Sequence, residues 1–402
     1  MTYLTRVPRR VIQLTCFVGA VVLVWPVLPW AIAPRSFVQA SPFVALASSI
    51  ATRSISLGAV FALVVAVASS FKKRWFCLYL CPTGFLLENA SHAGLRKASW
   101  WSRCPPVGRY VAILTLVGAV AGYPVLLWMD PLCIFSSPFA VNKATNPISV
   151  ILVCLGLGVL VGATLIFGML WCVRICPLSG LQDMLFFGRK ALWTRLKASA
   201  APQKFGVARR VFFAGAGGAL LAVWARRLGA ARYRRSDTLL RPPGAVPEDR
   251  FTGLCIRCNN CVHACPSKII RPDTGHEAGL AGFGAPVIRY ESDYKYCLET
   301  CNACTQVCPT GALTPLDLPR KNKYVIGEAL VDNGLCLTAL GKKECDACEL
   351  ACPYDAVKIT WDEEQYIAYP VVNDKCTGCG ACEVVCPTNP VRAIRVWTQK
   401  PA

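Results

Sequence analysis

Long apolar runs alternate with short polar segments through the first half of the chain. Four runs reach the length that a helix needs to cross about 30 Å of hydrocarbon, and they cover residues 11–33, 54–71, 110–129 and 148–171. A fifth run, residues 211–225, is shorter and rich in glycine and alanine. The pattern predicts a membrane α-helical domain with four transmembrane helices, followed by a fifth, signal-like helix.

The pattern changes after residue 250, where the apolar runs become short and alternate with polar residues. Two examples are "PVIRYESDYKY" and "AVKITW", and a period of two is typical of strands. We therefore predict small hairpins in a soluble α+β region. The predicted boundaries are 1–200 for the helical domain, 205–230 for the fifth helix, 231–250 for an Arg/Pro-rich linker and 251–402 for the soluble region.

Composition supports a membrane location, and charge gives the helices a direction. Hydrophobic residues make up 54% of the chain and charged residues 16%, a balance typical of membrane proteins. The net charge of +20 does not indicate nucleic-acid binding, because most Lys and Arg residues flank the apolar runs. The positive-inside rule places both ends of the four-helix unit in the cytoplasm. We expect a bacterial inner (cytoplasmic) membrane protein whose N-terminus is cytoplasmic.

Two similar segments, "RWFCLYLCPTGFLLE" and "MLWCVRICPLSGLQD", follow the second and fourth runs. Each has an aromatic residue, Cys-x3-Cys-Pro, a glycine, and an acidic residue six positions after the proline, Glu88 or Asp183. Hairpins of like orientation produce such a parallel repeat, so we expect both motifs at the cytoplasmic face. On a helix, the two sulfurs of each motif would share one face.

The two motifs together supply four thiolates: Cys77, Cys81, Cys172 and Cys176. We interpret them as the ligands of one [4Fe–4S] cluster shared between the repeats. Four packed thiols and a dithiol exchange site are the alternatives. Packing accounts for the cysteines that fit no motif, which are Cys16, Cys104, Cys133 and Cys154.

Sixteen further cysteines form four groups that each end in Cys-Pro. They are Cys255, Cys258, Cys261 and Cys265; Cys297, Cys301, Cys304 and Cys308; Cys336, Cys345, Cys348 and Cys352; and Cys376, Cys379, Cys382 and Cys386. Three close cysteines hold one cubane while the fourth, before the proline, reaches the neighbouring cluster. Zinc sites require neither the third cysteine nor the proline. The spacing therefore predicts four [4Fe–4S] clusters in a ferredoxin-like fold.

Two features of these clusters follow from the sequence alone. The groups must act in pairs, and either a sequential pairing or a nested one (first with fourth, second with third) uses the same sixteen ligands. Since the chain has only three histidines, we do not expect a haem ligated by this chain.

The motifs resemble a known pair of electron-transfer proteins. The first half, with its two Cys-x3-Cys-Pro motifs, resembles the NapH/MauN-type membrane polyferredoxins. Residues 205–402 resemble the NapG/MauM-type four-cluster ferredoxins, so that the chain resembles a fusion of the two. The resemblance implies a quinol dehydrogenase that draws on the quinone pool and reduces a periplasmic redox partner, such as a cytochrome. NapH-type chains usually carry soluble cubane motifs after the second Cys-x3-Cys-Pro, and here a basic stretch follows instead.

The segment "ARRVFFAGAGGALLAVWARR" places two arginines, Arg209 and Arg210, before the fifth apolar run. This form is typical of a twin-arginine signal, by which the NapG/MauM-type ferredoxins are exported in the folded state. We expect the segment to remain as an anchor helix, with the ferredoxin region in the periplasm. Arg226 and Arg227, after the run, oppose this by the positive-inside rule. The alternative is a surface helix with the ferredoxin region in the cytoplasm.

We expect a membrane-bound iron–sulfur electron-transfer protein that oxidises quinol, with Glu88 and Asp183 as candidate proton acceptors. One alternative is a cluster-wire subunit without its own quinone site in a larger respiratory complex. Another is a reductase for oxidase or metal-site maturation. The expected topology puts about 30 Å of hydrocarbon between the first cluster and the other four. A partner cytochrome, or a quinone pocket near the outer face, would have to bridge that distance.

Replacing Arg209 and Arg210 together by Lys tests the predicted export. Because the twin-arginine route reads this pair, external protease should digest residues 250–402 in spheroplasts of the unaltered strain and not in the double variant. Protection in both strains would place the ferredoxin region in the cytoplasm and contradict the prediction.

Overall fold

The computed structural model describes residues 6–25, 33–56, 58–94, 104–143, 147–197, 209–235, 238–291, 295–363 and 366–398, and the structure below is that of these residues. The first half is helical. Its helices are α1 (Arg6–Val24), α2 (Ala33–Gln39), α3 (Pro42–Thr52), α4 (Ala59–Phe71), α5 (Trp75–Tyr79), α6 (Pro82–Ala93), α7 (Val107–Val120), α8 (Pro131–Ser136), α9 (Pro147–Phe167), α10 (Pro177–Lys197) and α11 (Arg209–Arg235).

The second half has short helices and strands. The helices are α12 (Glu248–Leu254), α13 (Asn260–Ala264), α14 (Gly279–Gly282), α15 (Ala303–Gln306), α16 (Leu318–Lys321), α17 (Ala347–Leu350) and α18 (Ala381–Val385). The strands are β1 (Ile270–Pro272), β2 (Pro286–Ile288), β3 (Glu328–Val331), β4 (Val357–Asp362), β5 (Ile367–Val372) and β6 (Ile394–Trp397).

The lengths of the apolar helices differ from those of the apolar runs. By length and composition, two of the described helical segments could cross a membrane, Pro147–Phe167 and Val211–Leu228, and three shorter apolar helices accompany them. Helix α7 ends at Val120, although the third apolar run continues to residue 129. The helix stops there because Gly122 adopts a left-handed conformation with φ 79°. Gly168, with φ 65°, follows the end of α9 in the same way. Residues 26–32 of the first run lie outside the described residues.

The two Cys-x3-Cys motifs do not lie on single helix faces, contrary to the prediction. Cys77 belongs to α5, whereas Cys81 is extended (φ −71°, ψ 113°) and caps α6. Cys172 lies in a single π-helical turn, Trp171–Ile175, and Cys176 is again extended. The cause is the proline after each second cysteine, since a residue before proline is disfavoured in the helical region.

The strands of the cysteine-rich region (residues 238–398) form the same topology twice. The region has two modules, a first that contains β1 and β2 and a second that contains β3–β6. In the second module β3 pairs with β6, and the β4–β5 pair lies between them in sequence; both pairs are antiparallel. In the first module a bridge between Ala245 and Leu313 encloses the β1–β2 hairpin. Strands occupy parts of both alternating segments noted in the sequence, so the predicted hairpins are confirmed.

Helix α11 runs beside α7 in the same direction. Gly218 faces Leu114, Ala222 faces Gly118, and the Arg226 Nη1 donates to the Ala121 carbonyl at 3.1 Å. The cysteine-rich region follows α11 at this end of the helices. The opposite end carries the start of α1, where Arg9 pairs with Glu88 at 3.0 Å. The side chains of Arg209 and Arg210 lie outside the described part of the chain.

Contacts of several kinds hold the cysteine-rich region against the helices. The Gln39 Nε2 donates to the Pro309 carbonyl at 2.8 Å, and Tyr123 and Thr252 share a hydroxyl hydrogen bond of 2.9 Å. The positive charge of Arg226 counted against a periplasmic location by the positive-inside rule. In the structure Arg226 pairs with Asp249 at 2.6 Å. The cysteine-rich region therefore neutralises part of the positive charge near the C-terminal end of α11.

Glycines allow α7 and α10 to cross closely. A Cβ on Gly180 would collide with the backbone of Gly108, and a Cβ on Gly108 would collide with the Cys176 carbonyl. The crossing thus sets the position of Cys176, at the start of α10.

Gly180→Ala should separate α7 from α10 and lower the free energy of unfolding by about 1–3 kcal/mol. Gly188→Ala on the same helix is the matched control, because a Cβ there meets no atom of the described residues within 4 Å. Thermal unfolding of the purified proteins in detergent measures both. Equal stability of the two variants would show that the crossing is not tightly packed.

Candidate metal centres

The four cysteines of the Cys-x3-Cys-Pro motifs, called here the helical set, come together inside the helical region. Electrostatic interactions connect Cys77 to Cys81 and Cys172, and Cys176 to Cys77 and Cys172. The proximity of the two motifs, predicted from the repeat, is therefore present. All four thiols are buried or half-buried.

The two helix breaks turn polar N–H groups toward the sulfurs. The Gly84 amide donates to the Cys81 Sγ at 3.3 Å, and the Gln182 Nε2 donates to the Cys77 Sγ at 3.1 Å. Gln182 is itself oriented by Ser69, whose hydroxyl donates to its Oε1 at 3.2 Å. Such hydrogen bonds stabilise negative charge on sulfur, which is what thiolates bound to an iron–sulfur cluster require.

The sixteen other cysteines fall into four sets, each joining three cysteines of one group to the last cysteine of its partner group. Electrostatic contacts and cavity linings define set 1 (Cys255, Cys258, Cys261, Cys308), set 2 (Cys265, Cys297, Cys301, Cys304), set 3 (Cys336, Cys345, Cys348, Cys386) and set 4 (Cys352, Cys376, Cys379, Cys382). This arrangement favours the sequential pairing. The repeated strand topology explains it, because each module closes around two consecutive groups.

The grouping of the cysteines suits [4Fe–4S] clusters in the number of ligands. All four cysteines of set 1 line one cavity, and all four of set 3 line another. Among the described residues, no three His, Cys, Asp or Glu side chains converge on a point suited to a single metal ion. Each set supplies four cysteines, which is the number of thiolate ligands that a [4Fe–4S] cluster takes.

Burial disfavours the thiolate form of these cysteines when no metal is bound. Burial raises the pKa of Cys297 to about 11, and that of Cys348 also to about 11. Burial and the neighbouring thiols of its set raise the pKa of Cys261 well above its ordinary value. Ligation supplies the positive charge that offsets this cost, since metals bind the thiolate form.

The sets lie in a linear order through the cysteine-rich region. The Cys297 amide of set 2 donates to the Cys379 carbonyl of set 4 at 2.9 Å, which joins the two modules. Cys382 of set 4 interacts in turn with Cys348 of set 3. The order is set 1, set 2, set 4, set 3.

Helix α8 joins the helical set to set 1. At its start, the Thr83 hydroxyl, two residues after Cys81, donates to the Pro131 carbonyl at 2.7 Å. At its end, the Ser136 hydroxyl reaches the Cys258 carbonyl at 3.5 Å, and the Asn259 Nδ2 donates to the Ser137 Oγ at 2.8 Å. A helix of 6 residues is only about 9 Å long.

The expected separation of about 30 Å is therefore wrong for the helical set and set 1, which lie at opposite ends of α8. Two contacts through α8, that of Thr83 with Pro131 and that of Ser136 with Cys258, place the Cys81 motif close to the cysteine-rich region. Asp130, at the start of α8, interacts electrostatically with both Cys81 and Cys176.

Sequence reasoning missed Asp130 and the position of Cys133. The Asp130 carboxylate accepts from the Ser41 hydroxyl at 2.5 Å and from the Leu132 amide at 2.9 Å. Cys133 lies between Asp130 and Cys258 and interacts with both. The available signal was "DP" at residues 130–131, which is typical of a capped helix start.

Both candidate proton acceptors occur in ion pairs. Asp183 contacts Arg74 at 2.6 Å and Arg109 at 3.3 Å. Burial favours its neutral form, but the hydrogen bond and charge of Arg74, with Arg109, hold the pKa of Asp183 below its ordinary value. Glu88 contacts Arg9 and Arg10. These contacts give both carboxylates a role in joining helices.

Comparison with known protein families identifies iron–sulfur domains in both halves. The family described as "4Fe-4S dicluster domain" matches residues 254–312 and 343–389. The family described as "4Fe-4S binding domain" matches residues 56–100 and 150–194, once across each Cys-x3-Cys-Pro motif. The matches coincide with the two modules and with the two repeats. Iron–sulfur binding is thus supported in the helical half as well.

Among curated proteins, the ferredoxin-type protein MauM of methylamine utilisation from Methylophilus methylotrophus is 33% identical over 187 residues, which are 45% of this chain and 80% of that protein. The chain belongs to the MauM/NapG family of ferredoxin-type proteins. MauM of Methylorubrum extorquens is 40% identical over 149 residues (35% of this chain, 64% of the relative). The ferredoxin-type protein NapG of Escherichia coli is 36% identical over 162 residues (37% and 65%). No solved structure matches the chain.

Paired Cys→Ser variants separate the two pairing schemes of this MauM/NapG-type region. Under sequential pairing, Cys255→Ser with Cys308→Ser damages one cubane and removes about four irons, whereas Cys255→Ser with Cys386→Ser damages two and removes about eight. Nested pairing predicts the reverse. Iron content of the anaerobically purified variants distinguishes the two outcomes.

Proposed function

We propose that this protein is a membrane-bound electron-transfer protein that oxidises quinol and passes the electrons to a redox protein outside the cytoplasm. It would hold five [4Fe–4S] clusters, one in the helical set and one in each of sets 1–4. The iron–sulfur character follows from the family. Quinol as the donor, the cluster number and the membrane location are proposals.

The observation that carries the proposal is the bridge made by α8. It brings Cys81 and Cys258 to opposite ends of a six-residue helix. The remaining sets continue in line to set 3, which is half-buried and so the most accessible to a partner. The protein thus offers one continuous series of sites from the interior of the helices to the far surface of the cysteine-rich region.

The chemistry of quinol oxidation suits this series. Quinol loses two electrons and two protons to become quinone. The protons pass to water, and each electron reduces one molecule of a one-electron redox protein such as a cytochrome. A [4Fe–4S] cluster accepts and donates single electrons. The residues of the chain contribute by burying the thiolates and directing N–H groups at them. In set 1, the Leu313 amide donates to the Cys308 Sγ at 3.3 Å, and in set 4 the Ala356 amide donates to the Cys352 Sγ at 3.2 Å.

The direction of the helices supports a periplasmic location for the cysteine-rich region. If the basic start of α1 is cytoplasmic, as the positive-inside rule requires, the opposite end of the helices is periplasmic. The cysteine-rich region contacts that opposite end, through Gln39 and Tyr123 among others. The Arg226–Asp249 pair reduces the electrostatic objection to this arrangement.

The helical half would then act as a NapH/MauN-type membrane subunit fused to its MauM/NapG-type ferredoxin. Support comes from the "4Fe-4S binding domain" family, which matches both repeats of this half. A fusion needs no separate docking step between the two parts, since α11 and α8 already hold them together.

Cys172→Ser tests the path from quinol. The helical set should lose its cluster, so that quinol reduces sets 1–4 no faster than the background without protein, while dithionite still reduces them. Cys154→Ser is the control, because Cys154 belongs to no set. Anaerobic stopped-flow absorbance measures the reduction. Unchanged quinol reduction in Cys172→Ser would exclude the helical set from the path.

A further inference from the structure

A cavity of about 540 Å³ lies between the helical region and the cysteine-rich region. One wall is the face of α9 that carries Leu155, Gly156 and Val159, and another is the segment Trp128–Ser137. The third wall belongs to the cysteine-rich region and includes Arg257 and Asn259. Its volume lies in the range of pockets that hold small organic ligands.

The cavity is mainly apolar and opens along the most apolar helix of the chain. Leu155 and Val159 are 43% and 59% exposed, and Trp128 is 40% exposed. α9 is the more apolar of the two described helical segments that are long enough to cross a membrane. If α9 faces lipid, a hydrophobic molecule dissolved in the membrane can enter from the side without crossing water.

Two polar atoms on the lining side chains have no hydrogen-bond partner among the residues that the structure describes. They are the Trp171 Nε1, a donor, and the Asn259 Oδ1, an acceptor. Asn259 is held by its other amide atom, since its Nδ2 donates to Ser137. Buried polar atoms without partners are costly, and a ligand with both an acceptor and a donor group would satisfy them.

These side chains stand next to cysteines of two different sets. Trp171 precedes Cys172 of the helical set, and Arg257 and Asn259 flank Cys258 of set 1. Arg257 is fixed by donating to the Phe283 carbonyl at 2.7 Å and the Ala281 carbonyl at 2.8 Å. A ring in the cavity would therefore lie beside the two sets that α8 connects.

We propose that this cavity binds the ring of a quinol or quinone that enters from the lipid past α9. The inference rests on the proposed function and adds the position of the site. The aromatic ring packs among the apolar side chains. A quinol satisfies both atoms, because one of its oxygens accepts from the Trp171 Nε1 and a hydroxyl donates to the Asn259 Oδ1, whereas a quinone only accepts from Trp171. The site lies at the end of the helices that carries the cysteine-rich region.

Gly156 and Gly158 offer a matched pair of variants. A Cβ on Gly156 would lie 3.4 Å from the Ile134 Cγ2, inside the cavity, whereas a Cβ on Gly158 meets nothing within 4 Å. Gly156→Leu should place a branched side chain inside the cavity and weaken quinone binding by at least about tenfold. Gly158→Leu on the same helix should leave binding unchanged. Trp171→Phe removes one donor and should weaken binding by about fivefold.

The probe is a short-chain azido-benzoquinone, photolysed with the full-length protein in lipid nanodiscs and mapped by mass spectrometry. We expect labelled residues in the segments 128–137 and 152–160, displaced by unlabelled quinone and lost in Gly156→Leu. Labelling elsewhere, or labelling here that unlabelled quinone does not displace, would overturn the site.

Quinol reduction of the unaltered protein, followed in parallel, separates the site from the function. Reduction with labelling elsewhere would refute the cavity and keep the proposed function. Displaceable labelling of the cavity without reduction would support the site and refute quinol oxidation. The absence of both would refute both.

Discussion

The junction between the two halves depends on a buried carboxyl group at the start of α8. Asp130 is fully buried, and its oxygens accept hydrogen bonds from the Leu132 amide and the Ser41 hydroxyl. Burial raises its pKa to about 7 in spite of these bonds. The two contacts set where α8 begins and tie it to α3. Because α8 contacts the end of the Cys81 motif and the backbone of Cys258, its position fixes how closely the two cysteine regions approach.

Prolines and glycines supply the other constraints. Pro82 and Pro177 break the helices directly after Cys81 and Cys176, which turns the thiols inward. Gly108 and Gly180 then let α7 and α10 approach until their backbones are in contact. The prolines act through the ring, which keeps the preceding cysteine out of the helical conformation, and the glycines act through the absence of a side chain. Together they bring the two repeats into one site.

The sequence indicated which chemistry the cysteines perform better than it indicated where they lie in the fold. The spacing of the sixteen cysteines predicts cubane ligation because that spacing is local to each group, and the family matches agree with it. The repeat of Cys-x3-Cys-Pro likewise predicts that the two motifs meet. The depth of the helical set was not predictable, because it depends on contacts such as that of Thr83 with Pro131, which join residues distant in sequence. The sequential pairing required the strand topology, and the cavity beside Trp171 required the position of both halves.

The central claim is that the helical set and set 1 are neighbours in one electron path. A reduced [4Fe–4S] cluster is paramagnetic, so two such clusters at this separation interact magnetically. Electron paramagnetic resonance of the fully reduced protein tests this on the signal of the set 1 cluster. That signal is identified as the one that disappears in Cys308→Ser. The account predicts that this signal is broadened and relaxes faster in the unaltered protein than in Cys172→Ser. An identical set 1 signal in both proteins, with iron content confirming that only the variant lacks the helical cluster, would contradict it.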